Sequence, residues 1–404
     1  MPPSEPDFSS FPAVAGVRLA VASAGIKRTD RPDLALIELV EGANTAAVFT
    51  RNAFCAAPVL IAREHLQTES PRYLLINSGN ANAGTGDNGL HAARACCQSL
   101  AELSGCSAQA VLPFSTGVIG QDLPVERMTP VFPALLKRLD ATNWDQAARA
   151  IMTTDTVAKA AWRQIGLNGE TVTLAGIAKG AGMIKPDMAT MLAYVATDAA
   201  VTNELLRTCL QTAVDASFNR ITVDGDTSTN DACVLMATGK ANVSVAAMDE
   251  TYAQFCNAVT EICVSLARQI IADGEGATKL VTVSVSGGAD TEECKTVAYT
   301  IAHSPLVKTA FFASDPNWGR ILAAVGRAGL VNLNIDAVKI FLDDVCIVEQ
   351  GGRAASYTEE QGQAVVSRDS FTVKVELDRG SASADVITCD LSYDYVRINA
   401  EYRT

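Results

Sequence analysis

At 404 residues, 48% hydrophobic and 19% charged, the chain has the composition of a globular protein long enough for two lobes. Its net charge of −13 works against nucleic-acid binding, which needs clustered Lys and Arg to displace counterions, and weakly favours a cationic or amine-bearing small substrate. No apolar run approaches the roughly 18 residues of a membrane span, and MPPSEPDFSS lacks the basic and apolar regions of a signal or transit peptide, so the expectation is a cytoplasmic protein that crosses no membrane.

In chain order, the N-terminal half alternates short strands with helices. A strand at Arg72–Asn77 precedes a helix from about His91 to Leu103. Gly84-Thr85-Gly86-Asp87-Asn88-Gly89 between them matches the dinucleotide fingerprint, but a loop rich in glycine and asparagine is not a tight turn, and Asp87 would set a carboxylate beside a pyrophosphate. A close-packed loop is the reading preferred. Strands at Val157–Ile165 and Thr171–Lys179 flank Asn168-Gly169, a strong hairpin signal. After Gly180-Ala181-Gly182 and the turn around Lys185-Pro186-Asp187, the apolar run Thr190–Thr197 reads as a buried strand whose first residue is Thr190.

A helix follows from about Asn203 to Ser217, then the polar loop Asn219–Asp231. Its stretch Asp224–Asp231 begins like a calcium loop but puts Thr229 where glycine is needed and Leu235 where the bidentate Glu belongs. A hydrogen-bonded turn network and a site lining both remain open there. A long helix at Glu250–Ala272 stops at Asp273-Gly274, with Cys256 and Cys263 on its apolar stripe. Strands at Val281–Ser286, Ala337–Phe341 and Thr372–Leu377 then alternate with helices near Cys294 and Ile321, as a smaller second lobe would. The eleven cysteines show no C-x-x-C spacing and read as reduced, mostly buried thiols. His65, His91 and His303 lie far apart and outside any H-E-x-x-H arrangement, so no metal site is expected.

The segment Gly176–Leu192 joins a strand, a glycine-rich break, a proline turn and a strand starting in threonine. A Thr190 hydroxyl presented by a sharp bend could attack the carbonyl of Ala189, with local backbone strain promoting the shift. Hydrolysis would then free an α-amino group of pKa about 7.7–8, able to serve as general base for its own hydroxyl. No histidine is needed for this chemistry, and no recognisable Ser-His-Asp motif is present. From the residues alone, a β-branched residue that merely starts a strand is the simpler alternative.

The segment from Lys179 to Met191, with Lys185-Pro186-Asp187-Met188-Ala189-Thr190-Met191 around the junction, resembles the glutamate N-acetyltransferase family of arginine biosynthesis, also called ornithine acetyltransferase. The similarity continues through Val48–Asn52, Asn77–Asn82, Ser115–Gly120, Asp224–Asp231, Asp273–Lys279 and Ser314–Arg320. It implies an α/β fold, a layered α-β-β-α sandwich of the aminopeptidase/ornithine acetyltransferase kind, with a smaller C-terminal α/β lobe at about 281–404. It implies self-cleavage between Ala189 and Thr190, giving segments 1–189 and 190–404, with two copies of each in the assembly. Thr190 would then be the nucleophile, Thr116 and Gly117 the oxyanion hole, and Thr153, Lys179, Thr190, Glu275, Asn399 and Thr404 the substrate contacts. On their own, Lys179 and Glu275 read more simply as solvated charges or structural ion pairs. The implied substrates are N-acetylornithine and glutamate, with no cofactor and with acetyl-CoA as a further donor in bifunctional members. An N-terminal-threonine amidase or aminopeptidase is the alternative chemistry.

Overall fold

The computed structural model describes residues 3–185 and 191–402. The chain divides into a larger unit, Ser4–Asn219 with Asp226–Ile270, and a smaller one made of Arg220–Gly225 and the chain from Ile271 onward.

The strands of the larger unit are β1 (Val17–Ala22), β2 (Leu34–Leu39), β3 (Asn44–Phe49), β4 (Tyr73–Asn80), β5 (Val111–Val118), β6 (Lys159–Leu167), β7 (Glu170–Lys179), β8 (Leu192–Thr197) and β9 (Ala232–Ala237), besides two short pieces. They form a four-stranded sheet, β1-β2-β4-β5, and a five-stranded sheet, β3-β9-β8-β7-β6. Side chains alternate between the faces of a strand, and the sequence exploits both faces. Val17, Leu19, Ile37, Leu74, Ile76, Leu112 and Phe114 point from the first sheet into a core shared with Ala175, Ile177, Leu192, Tyr194, Val234 and Met236 of the second. The intervening residues Ala20, Leu34, Leu36, Leu75 and Val111 pack outward with Cys96, Cys97 and Leu100 of the helix Gly86–Ser104. Phe114 and Tyr194 meet across the two sheets edge-to-face, with centroids 5.3 Å apart.

On the far side of the second sheet lies the helix Glu250–Ala272, 23 residues long. The mean hydropathy of its most apolar window is 1.2, enough by length and composition alone for a membrane span, but 56% of that window is buried inside the protein, as in a core helix. Its stripe of Phe255, Val259, Ile262, Cys263, Leu266 and Ile270 is buried, and Ile262 and Leu266 come close to Gly176 of β7, where a side chain would hold the helix off the sheet. These layers, helix, sheet, sheet, helix, are the α-β-β-α sandwich.

Asn168 and Gly169, at φ 52° and 83°, form the two-residue turn between β6 and β7, and β7 pairs antiparallel with β8, completing a meander. Two boundaries around the glycine fingerprint differ from expectation. Strand β4 runs on to Asn80 and the following helix starts at Gly86, because asparagine side chains satisfy the backbone there: Asn77 Nδ2 donates to Asn80 O at 2.8 Å and Asn82 Nδ2 to Gly89 O at 3.0 Å. The glycine fingerprint is therefore a packed junction, and a Cβ on Gly89 would fall 1.9 Å from Thr85 Oγ1.

The smaller unit carries a seven-stranded sheet in which Leu280–Gly288 lies between Ala382–Cys389 and Ser370–Glu376. Val281, Val283 and Val285 pack with Val297 and Ile301 of the helix Thr291–Ala302. The strand expected from Ala337 starts at Lys339, since Ile335–Ala337 is a 3-10 turn capped by Asn334. All eleven cysteines are free thiols, eight of them buried.

Candidate active site

The C-terminal end of β5 carries Ser115, Thr116 and Gly117 beside a bulge in β4, where the register shifts and Asn80 faces both Thr116 and Val118. Gly117 has φ 137°, and a Cβ there would lie 2.3 Å from the carbonyl carbon of Gly79 and 2.5 Å from the Asn80 nitrogen, so only glycine fits. Polar side chains fix this distorted crossing. Ser115 Oγ donates to Asn77 Oδ1 at 2.6 Å, while Asn80 Nδ2 reaches Gln121 O and Asp122 O at 3.2 and 3.0 Å. From the polar loop, buried Asn230 donates to Ala81 O at 2.6 Å and Ser115 O at 3.0 Å. The end of that loop is thus a hydrogen-bonded brace behind the Ser-Thr-Gly turn, joining two readings the sequence had left apart.

Lys179 ends β7 and is 9% exposed. Its ammonium donates to Thr153 Oγ1 at 2.8 Å and to Thr116 Oγ1 at 3.1 Å, so the structure gathers Thr116, Gly117, Thr153 and Lys179 in one place. The solvated-charge reading of Lys179 fails, because the buried end of a meander strand leaves its head group among hydroxyls. Beneath it, Asp155 and Lys159 form a fully buried ion pair at 2.6 Å. Asp155 also accepts the amides of Gly180 at 2.7 Å and Thr153 at 2.9 Å. Burial acts to raise the Asp155 carboxyl, but the Lys159 and Lys179 ammonium groups and these bonds outweigh it and hold the carboxyl well below the usual carboxylate range.

The run toward the junction bends twice, at Gly180 with φ 151° and at Met183 with φ 55°, a left-handed conformation uncommon for a residue with a Cβ. Thr227 Oγ1 donates to Lys185 O at 3.3 Å, and Ala232 N to Met191 O at 3.0 Å, anchoring the chain on each side of residues 186–190. Ala189 and Thr190, the expected cleavage pair and nucleophile, lie outside the described residues, as does Thr404.

In the smaller unit, Glu275 is 8% exposed and accepts Asn399 Nδ2 at 2.7 Å. Its bonding partner is a neutral amide, which corrects the expectation of a solvated charge or ion pair. Ser392 Oγ donates to Gly276 O at 2.6 Å and ties the Glu275 loop to the residues just before the helix Tyr393–Ala400. Among the described residues no three His, Cys, Asp or Glu side chains are placed to hold a metal ion. The residues missed by sequence reasoning are Asp155, Lys159 and the bracing role of Asn230. Only Lys159 left a usable signal, a single charge in the apolar run Val157–Ala161.

The sequence is 55% identical over 393 residues to the arginine biosynthesis bifunctional protein ArgJ of Pseudomonas fluorescens, covering 97% of each chain. It is 57% identical over 392 residues to its namesake in Methylococcus capsulatus, covering 97% of this chain and 96% of that one. The crystal structure of ArgJ from Bacillus halodurans is similar with a TM-score of 0.50 and 41% identity, covering 52% of this chain and 99% of its own. With the ArgJ family matched over residues 18–404, the chain belongs to that family.

Proposed function

We propose that this chain is an acetyltransferase of arginine biosynthesis that cleaves itself between Ala189 and Thr190 and carries an acetyl group on Thr190 from N-acetylornithine to glutamate. The observation that carries the reading is the cluster of buried Thr116 and Lys179 with half-buried Thr153 beside the glycine-only turn at Gly117. In maturation the Thr190 hydroxyl attacks the Ala189 carbonyl, the peptide C–N bond breaks, and water hydrolyses the ester to leave a free Thr190 amine. In turnover that amine takes the hydroxyl proton as Thr190 attacks the acetyl carbonyl of N-acetylornithine. The proton passes to the departing ornithine amine. Glutamate then attacks the ester through its deprotonated amine, gives N-acetylglutamate, and the Thr190 hydroxyl is restored.

Each tetrahedral intermediate bears an oxyanion, for which Thr116 and Gly117 supply fixed donors, worth about 2.7–4 kcal/mol for each one. Lys179 suits a substrate carboxylate and Glu275 an ammonium, with Thr153, Asn399 and Thr404 as further contacts. Acetyl-CoA would serve as a second donor. The segments 1–189 and 190–404 stay associated, two copies of each, in the cytoplasm. The share of this chain matched by the Bacillus halodurans chain, about half, is the share one segment would take, which supports cleavage.

The test is to mix N-acetylornithine with glutamate and follow both products. Equimolar ornithine and N-acetylglutamate are expected. Free acetate without N-acetylglutamate would instead identify an amidase using the same nucleophile.

A further inference from the structure

The scheme above leaves the Asp155–Lys159 pair without a role. Both side chains are fully buried. Such a pair contributes little net stability, because desolvation of both charges offsets their attraction, and an apolar pair of similar volume does as well. Its placement offers another reason for it. Asp155 Oδ1 accepts the amide of Gly180, where the chain leaves β7 toward the junction, and Oδ2 accepts the amide of Thr153, whose hydroxyl seats the Lys179 ammonium. Lys159 faces Ala178 in the β6–β7 register, so it fixes the carboxylate relative to the strand that carries Lys179.

We propose that Asp155 is a positioning residue that sets both the path from Gly180 into the junction and the seat of Lys179, so that one carboxylate governs self-cleavage and acetyl transfer together. The proposal rests on the Thr190 reading above. Asp155 touches no reacting atom in that scheme; it acts through Gly180 and Thr153.

Three full-length chains test it: the natural one, Asp155→Asn, and Asp155→Asn combined with Lys159→Met. The single substitution strands a buried ammonium and lowers the melting temperature; the double one removes that charge and regains stability. Cleavage is followed by intact mass over time, and transfer by kcat and KM. The double variant should melt close to the natural chain yet cleave and transfer about tenfold to hundredfold more slowly, with KM for N-acetylornithine raised as well, because Lys179 is the contact proposed for the substrate carboxylate. A double variant with natural melting, cleavage and kcat would reduce the pair to a structural element and overturn the proposal. If the double variant does not fold, Thr153→Val tests the Lys179 arm, since it keeps the ion pair and deletes only the hydroxyl. A kcat/KM lowered about tenfold at unchanged melting temperature supports the arm, and an unchanged kcat/KM overturns it. Failure of the natural chain itself to cleave or to form N-acetylglutamate would sink the underlying reading instead.

Discussion

Replacement of Gly117 by alanine is the perturbation whose cost follows most directly from the geometry. The added Cβ would sit 2.3 Å from the Gly79 carbonyl carbon and 2.5 Å from the Asn80 nitrogen, against an ordinary contact beginning near 3.4 Å. Both neighbours are backbone, so no side chain can swing aside, and β4 and β5 must part by about 1 Å. The φ of 137° adds about 1–3 kcal/mol of strain for a residue with a Cβ. Loss of the bulge hydrogen bonds adds about 1 kcal/mol each. A destabilisation of roughly 3 kcal/mol or more follows. A displacement of about 1 Å in the oxyanion donors would slow the chemistry by about a hundredfold.

The assay pairs thermal unfolding with the rate of N-acetylglutamate formation. Gly166→Ala is the control, because Gly166 lies on β6 with nothing within 4 Å of the added carbon. That control should stay within about 0.5 kcal/mol of the natural chain. If Gly117→Ala matches Gly166→Ala in both stability and rate, the oxyanion assignment and the packing reason behind it are both wrong.

Three further outcomes are expected. Thr190→Ala should give an uncut chain without transfer activity, read by denaturing gel, and a processed, active variant would reject Thr190 as nucleophile. Tyr194→Phe should raise stability by about 1 kcal/mol in denaturant unfolding, because the buried Tyr194 hydroxyl has no hydrogen-bond partner among the described residues; a clear loss would mean that the hydroxyl is satisfied. The Asp155 carboxyl is depressed in the folded state, so its contribution is present above the unfolded value near pH 4 and is lost as pH falls below it. Melting temperature against pH should therefore fall more steeply below about pH 4 for the natural chain than for Asp155→Asn combined with Lys159→Met, and parallel curves would contradict the linkage.

What could be read from the sequence and what could not divide along physical lines. Asn168-Gly169 announced its hairpin because a two-residue turn between twisted strands needs two positive φ angles, which these residues tolerate. The helix Glu250–Ala272 was legible because its apolar stripe follows the helical period over 23 residues. The end of β4 was not, because Asn77 and Asn82 carry out with side chains what turn residues usually mark. Asp155 escaped notice for a different reason. It gathers Lys159, Gly180 and Thr153 around one carboxylate, and local pattern does not encode that the amide of Gly180, 25 residues on, will return to it. Thr116, Gly117, Thr153 and Lys179 were named through resemblance, and the hydrogen bonds from Lys179 to Thr116 and Thr153 that bring the ends of β5 and β7 together emerged only in three dimensions.

The central claim is that the chain cuts itself before Thr190, and the most direct measurement is intact mass with N-terminal sequencing of the purified protein. The account predicts two fragments of 189 and 215 residues, one of them beginning Thr-Met-Leu-Ala. A single species of 42.4 kDa that remains uncut on prolonged incubation would contradict it.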